Sequence, residues 1–243
     1  MSADITLRKG LTIPLRGEAS LEIKASKLTD VFTLYPDDFH GVVPKLLAKE
    51  GEPVLLGQPI FFSKANPEIQ FVSPVSGTLT KIVRGAKRRI LSIALKSDGK
   101  DEAVKHKLPA VDALDADSVK SQLLGSGCWP FIKQRPYDVI ANPRHTPKGI
   151  FITGFSTAPL AADIPFLLEN QQKDFQHGID VINKLSSKIH LSVSNQDSSF
   201  LSRVSGVEIH RVKGIHPAGN VGVQIHHIDA INAEEIAWTI NAE

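Results

Sequence analysis

The sequence predicts a multidomain α/β protein, in which a small all-β domain precedes a parallel α/β domain. Residues 50–83 read as short strands closed by glycine and proline turns. Beyond residue 110, short apolar strands alternate with helical patterns, as in a parallel sheet. A polar run at residues 97–106 separates the two patterns. We therefore predict a β-rich domain over residues 1–105 and an α/β domain over residues 106–243.

The first pattern indicates a closed sheet. A short entry strand is predicted at residues 9–17, where Pro14 would confine it to a sheet edge. Strand-like runs at residues 54–56, 60–62 and 78–83 are separated by turns at Gly51, Gly57 and Gly77. Two such strand–turn–strand units that face each other form a small sandwich or barrel, which removes exposed sheet edges.

The second pattern predicts a helix over residues 115–124, stopped by Gly125, and another with 3.6-residue spacing over residues 171–185. A further helix is expected from residue 159 or 160 to about 169. Strands are predicted at residues 137–143, 149–154, 188–193 and 206–212. A parallel sheet of this kind opens to ligands at the carboxyl ends of its strands.

Composition excludes several classes of function. The 243 residues are 42% apolar and 22% charged, with a net charge of +2. This charge creates no demand for a nucleic-acid partner. No apolar run is long enough for a transmembrane segment, and no signal-peptide core begins the chain. The single cysteine, Cys128, suits a reducing compartment, so we expect a cytoplasmic protein that can dock on a membrane complex.

The residues 125–131, GSGCWPF, look superficially like a nucleotide-binding loop; we call them the glycine loop. They lack the third glycine of G-x-G-x-x-G, and Trp129 and Pro130 would block close approach of a phosphate. Residues 154–160 stand between a predicted strand and a helix, where an anion would bind, but contain one glycine. Neither stretch supports a catalytic residue, and we expect Cys128 to be a small buried residue.

The histidines are the candidate ligands for a metal ion. His226 and His227, with His216 and Asp229 nearby, form the densest group in the sequence. Interpreted as neighbours on a strand, the two histidines point to opposite faces and cannot share an ion. We therefore predict no metal site.

A basic cluster, RGAKRR at residues 84–89, is interpreted as a solvated hairpin tip. A phosphate site and a docking surface for an acidic partner stay open as alternatives.

The pattern of residues 51–82 resembles the barrel-sandwich hybrid fold of biotinyl and lipoyl carriers. In those carriers a lysine at a hairpin tip receives the swinging cofactor, which would correspond to Lys64 here. The tip lacks the Met-Lys-Met signature, so we expect Lys64 to be an unmodified surface lysine. A carrier modified at Lys64 is kept as an alternative.

Nearly the whole chain resembles the A subunits of sodium-translocating NADH:quinone reductases, and looks like their N-terminal half. The stretches that carry this resemblance are KGLTIPLRG (9–17), SPVSG (73–77), RGAKRR (84–89), GSGCWPF (125–131), GIFIT (149–153), APLAAD (158–163), HPAG (216–219) and GVQIH (222–226). The resemblance implies a Rossmann-like α/β domain and a peripheral subunit on the cytoplasmic side of the bacterial inner membrane. The other subunits would be its partners and would carry the flavins, the iron–sulfur centres and the NADH site. Ubiquinone would be the possible substrate bound by this subunit.

The same architecture resembles RnfC and the flavin-binding subunit of complex I, in which a glycine-rich loop cradles flavin mononucleotide. The glycine loop stands at that position, but Cys128 and Trp129 replace small residues beside Gly125 and Gly127. We therefore expect no tightly bound flavin or NADH in this chain. Candidate quinone-binding residues are Trp129, Phe131, Phe155 and His216, with ordinary packing as the alternative for each. A flavin- or NADH-binding oxidoreductase is the alternative function.

Overall fold

A computed structural model describes residues 2–17, 19–25 and 29–242. Its elements form an all-β region and an α/β region, as the sequence predicts. The first strand, β1 (Asp4–Leu7), lies in the sheet of the α/β region rather than with its neighbours in sequence. The predicted division at residues 105 and 106 stays a prediction.

The all-β region consists of seven short strands in two sheets. In chain order they are β2 (Val31–Leu34), β3 (Pro44–Leu46), β4 (Pro53–Val54), β5 (Pro59–Ser63), β6 (Gln70–Val72), β7 (Gly77–Arg84) and β8 (Ile90–Ser97). One sheet has the order β2-β8-β7-β4 and the other β3-β5-β6. Phe61 stacks on Phe71 with 4.5 Å between ring centroids, in the core between the sheets.

Gly77 shows why this region is rich in glycine. Its φ is +153°, and an added Cβ would lie 1.9 Å from the backbone oxygen of Lys96. Only glycine allows β7 to start this close to β8.

The α/β region is built on a seven-stranded sheet. Its elements are α1 (Ala116–Gly125), β9 (Lys133–Arg135), β10 (Val139–Ile140), β11 (Ile150–Thr153), α2 (Ile164–Leu167), α3 (Gln172–Ile182), β12 (Ile189–Ser194), β13 (Glu208–Gly214), α4 (Val221–Asp229) and β14 (Ala237–Asn241). The strand order is β1-β13-β12-β11-β14-β9-β10. The first five strands are parallel, whereas β9 and β10 are antiparallel additions at one edge.

The order of the parallel strands is Rossmann-like. From β11 the chain moves outward through β12 and β13, and α4 then returns it to β14 on the other side of β11. Ligands in such sheets bind beyond the carboxyl ends of the strands. Within the described residues, no helix combines the length and apolar character that crossing a bilayer requires.

Two predicted elements were wrong. Residues 9–17 form no strand, because β1 occupies the sheet edge before them and Pro14 lacks a backbone donor. The helix expected from residue 159 or 160 is also absent there. Leu160 has a φ of +58°, outside the helical range, and the short α2 starts only after its N-cap residue Asp163.

Candidate functional site

The glycine loop packs against the all-β region. Gly127 has a φ of +74°, and an added Cβ would lie 2.5 Å from Cγ1 of Val72 in β6. The positive φ and the contact with Val72 both require glycine at this position. The glycine is therefore explained by packing between the two regions, without a bound phosphate.

Trp129 follows in a 3-10 helix, Trp129–Phe131, and is completely buried. Its indole N–H donates to the backbone oxygen of Ala141 at 2.7 Å, and its ring meets Trp238 edge-on at 5.5 Å. The donor and the ring are thus both used within the protein. Phe131, at the other end of this 3-10 helix, is 67% exposed.

Beside the glycine loop lies an apolar slot of about 340 Å³, which we call the linker slot. It is enclosed by residues 106–114, α1 and α3. Its aliphatic walls are Leu108, Pro109, Val111, Leu114, Val119, Leu123 and Val181, and its polar groups are His106, Gln122, Ser126, Cys128 and His177. A few polar groups in an aliphatic wall are typical of small-molecule sites.

Cys128 borders this slot and is exposed, so the prediction of a buried cysteine was wrong. Trp129 and Pro130, the next two residues, fill the core in its place. The sequence signal that could have indicated the slot is weak. Residues 106–114 form only a short 3-10 helix, Val111–Ala113, and only the fold brings their aliphatic side chains against α1 and α3.

A second concavity, about 780 Å³, lies beyond the carboxyl ends of β11, β12 and β13; we call it the edge crevice. Phe155, Phe166, Phe200 and Arg203 line it together with polar residues 194–199. The carboxylate of Asp163 already accepts the N–H of Phe166 at the start of α2, and Pro165 has no N–H. The usual phosphate position of this fold is therefore occupied by a negatively charged group.

Phe155 and His216 both belong to this edge. Phe155 lines the crevice and packs against the cluster of Ile5, Val212 and Ala218. The Nδ1 atom of His216 lies 3.2 Å from Oγ1 of Thr157, which also lines the crevice. Trp129 instead contacts Trp238, which pairs with Ile150 at the amino end of β11. The four quinone candidates thus lie in two places rather than in one pocket.

The expectation that His226 and His227 lie on a strand was wrong, because both belong to α4. The β-branched residues around them favoured a strand, whereas Asn220 acts as the N-cap of a helix that buries Gln224 and Ile225. A different group escaped sequence reasoning: His190, Glu208 and His210 have ligand atoms within 4.8 Å of one another. They are far apart in the sequence, and only the pairing of β12 with β13 brings them together.

Lys64 and the basic cluster are both exposed at the surface of the all-β region. Lys64 is exposed directly after β5, and its N–H donates to the backbone oxygen of Val43 at 2.9 Å. Lys87 and Arg88 form the exposed tip of the β7–β8 hairpin, and Arg89 pairs with Asp37 at 2.6 Å. The basic cluster therefore lies at an exposed hairpin tip, and the phosphate site and the docking surface stay open as alternatives.

The fold defines a two-domain class of protein, a barrel-sandwich hybrid joined to a Rossmann-like α/β domain. Comparison with known families gives the same division. Residues 5–98 match the model described as the NqrA N-terminal barrel-sandwich hybrid domain, and residues 114–243 match the NqrA second alpha/beta domain. The chain belongs to the NqrA family.

Curated relatives extend this match over the whole chain. It is 34% identical to the A subunit of the Na(+)-translocating NADH-quinone reductase of Mannheimia succiniciproducens and 32% identical to that of Pseudomonas aeruginosa, each over 239 residues. The corresponding protein of Haemophilus influenzae is 31% identical over 241 residues. Each alignment covers 98% of this chain and 54% of the relative. The chain thus spans about half the length of these curated relatives.

Proposed function

We propose that this chain is part of a peripheral subunit of a Na⁺-translocating NADH:quinone reductase, on the cytoplasmic side of the bacterial inner membrane. In this proposal it helps to bind ubiquinone and to assemble the complex, and it carries no redox cofactor of its own. The observation that carries the proposal is the match to the A subunits of these reductases over 98% of the chain. The flavins, the iron–sulfur centres and the NADH site would belong to partner subunits.

The absence of a flavin or dinucleotide from this chain is supported by two features. Val72 and Trp129 fill the space around the glycine loop, where a phosphate would need open backbone donors. At the edge crevice, Asp163 caps the helix at which a phosphate would otherwise bind. A phosphate next to this carboxylate would be repelled.

The linker slot fits a quinone ring better than the edge crevice does. A quinone ring is apolar and has two carbonyl acceptors, so it requires an apolar wall with one or two donors. The slot offers aliphatic side chains together with Gln122 and His177. The crevice is larger and lined by many polar groups, including Asp163, Asp197 and Glu169. We therefore assign the quinone ring to the linker slot. The edge crevice, where the predicted residues Phe155 and His216 lie, is the alternative position.

The single cysteine provides a direct test. Cys128 borders the slot, so alkylation with N-ethylmaleimide should block it. We expect saturation transfer from the protein to decyl-ubiquinone, whose fully substituted ring does not alkylate thiols, and loss of this transfer after alkylation. Cys128→Ser treated with the same reagent is the matched control and should keep the transfer.

A second variant separates the two positions. Phe155→Ala alters the edge crevice and should leave the signal unchanged. If saturation transfer survives alkylation but disappears in Phe155→Ala, the quinone binds in the edge crevice and not in the linker slot. No transfer in any form of the protein would contradict quinone binding by this chain.

A further inference from the structure

We propose that His190, Glu208 and His210 form a binding site for a divalent transition metal that prefers imidazole, Zn²⁺ foremost. The site lies in the seven-stranded sheet, away from the linker slot and the edge crevice. It is independent of quinone binding, so either proposal can fail without the other.

The sheet register brings the three side chains to one face. In the parallel pair of β12 and β13, His190 lies opposite Glu208, and Ser192 lies opposite His210. Residues two apart on a strand point to the same side, so His190, Glu208 and His210 share a face. The ring of His190 stacks on Phe151, which packs with Ile225 of α4, so this is the face that α4 covers.

The distances between donor atoms suit a single ion. Nε2 of His210 lies 3.0 Å from Nδ1 of His190, and Oε2 of Glu208 lies 3.6 Å from the same nitrogen. Zinc binds nitrogen and oxygen at about 2.0–2.2 Å, so tetrahedral neighbours stand about 3.4 Å apart. Both distances from Nδ1 of His190 are within a few tenths of an ångström of that spacing, and all three donor atoms lie within 4.8 Å of one another. Two histidines and one glutamate are also a common zinc ligand set.

Both imidazoles are buried. His190 is 5% exposed and His210 is 1% exposed. Burial lowers the pKa of His190, although the negative charges of Glu208 and Asp229 act to raise it. Burial, and then the neighbouring His190, lower the pKa of His210 to about 4.

The access route is on the side of Glu208. Its side chain is 41% exposed, whereas the two histidines are enclosed. The carboxylate is therefore the part of the group nearest to solvent. Three protein ligands leave a fourth position for water.

A backbone hydrogen bond near the N-terminus fixes which nitrogen of His210 carries the proton. The N–H of Ala3 donates to Nδ1 of His210 at 3.2 Å, so the neutral ring carries its proton on Nε2 and donates it to Nδ1 of His190. Metal ligation through Nε2 moves that proton to Nδ1, where it faces the N–H of Ala3. Metal uptake must therefore break the Ala3 contact and loosen the backbone that leads into β1.

The test uses the untagged chain, titrated with Co²⁺ and with Zn²⁺ against a chromophoric chelator. We expect one ion per chain, visible d–d absorption of bound Co²⁺, and faster hydrogen exchange of the Ala3 amide in the Zn²⁺ form. Glu208→Gln and His190→Gln should each weaken binding about tenfold or more, since even the loss of an outer-shell partner costs 10–100-fold.

The matched control replaces the exposed pair, His226→Gln with His227→Gln, and should leave affinity unchanged. Circular dichroism of the conservative Glu208→Gln variant confirms that the fold is retained. The site is overturned if no ion binds, or if the His226/His227 variant loses the ion while Glu208→Gln keeps it. Unchanged exchange at Ala3 would exclude His210 as a ligand and would equally overturn the site.

Discussion

Gly127 and Val72 are in such close contact that an added Cβ on the glycine would lie 2.5 Å from Cγ1 of the valine. The contact joins the glycine loop to strand β6, and so joins the α/β region to the all-β region. The buried core continues across this boundary, because one cluster includes Phe71 and Leu79 on one side and Trp129 and Trp238 on the other. The loop is thus part of the connection between the two regions.

This contact predicts a specific cost for a small substitution. Gly127→Ala should lower the free energy of unfolding by about 2–4 kcal/mol, because it combines a strained φ with a clash. Gly125→Ala is the matched control, since a Cβ there meets nothing within 4 Å. It should be neutral or slightly stabilising, because alanine is favoured in a helix. Urea unfolding of both variants measures the difference, and equal effects would show that Val72 does not restrict the loop.

Trp129 should behave as a core residue. Trp129→Phe removes the donor to the Ala141 carbonyl and part of the contact with Trp238, so we expect a loss of about 2–4 kcal/mol. Phe131→Ala, at an exposed position two residues away, should change stability by less than about 0.5 kcal/mol. Thermal unfolding distinguishes the two. If the Trp129→Phe variant is as stable as the unsubstituted protein but binds quinone differently, Trp129 is a quinone-binding residue and not only a core residue.

Lys148 is the centre of an ionic group that should make stability depend on pH. Its ammonium lies 2.8 Å from both Asp229 and Glu235, and this contact lowers the pKa of Glu235 to about 2. A carboxyl whose pKa is lower in the folded than in the unfolded state stabilises the fold above its unfolded pKa. This contribution is lost as the pH falls from about 5 towards 2.

Glu235→Gln should therefore flatten the loss of stability between about pH 5 and pH 3. Glu234→Gln, a neighbouring exposed carboxylate, should keep the slope of the unsubstituted protein. Urea midpoints at several pH values provide the measurement. An identical slope in the Glu235→Gln protein would contradict the assigned pairing.

Lys64 should be unmodified. The lysine is exposed and follows β5 directly, so it is accessible to a ligase but lacks the flanking methionines of biotin carriers. We expect the intact mass of the chain, purified from its native host, to equal the mass of the sequence. A mass increase that Lys64→Arg abolishes would identify a carrier domain instead.

Local sequence patterns predicted most of the architecture. The turns at Gly51, Gly57 and Gly77 indicated the all-β region, and the spacing of apolar residues identified α3 to within a few residues. These features depend on near neighbours in the chain. The parallel sheet was also predicted, although β1, β9 and β14 were not assigned to it, and the predicted strand that became β10 is antiparallel. Strand partners that are distant in sequence leave no local signal.

The candidate sites were harder to predict for the same reason. Trp129 and Phe155 were both candidates for quinone binding, but the fold places one at the amino end of β11 and the other beyond its carboxyl end. The linker slot combines residues from three segments of the chain, and the His190 group combines two strands that are paired in the sheet. The proposed kinship with RnfC and the flavin-binding subunit of complex I stays a prediction.

The most direct test of the account is a titration of the purified chain with flavin mononucleotide, followed by quenching of the flavin fluorescence. Because Val72 and Trp129 fill the space around the glycine loop, we expect no saturable quenching at micromolar concentrations. Saturable quenching with a micromolar Kd would contradict the central claim that this subunit has no flavin of its own.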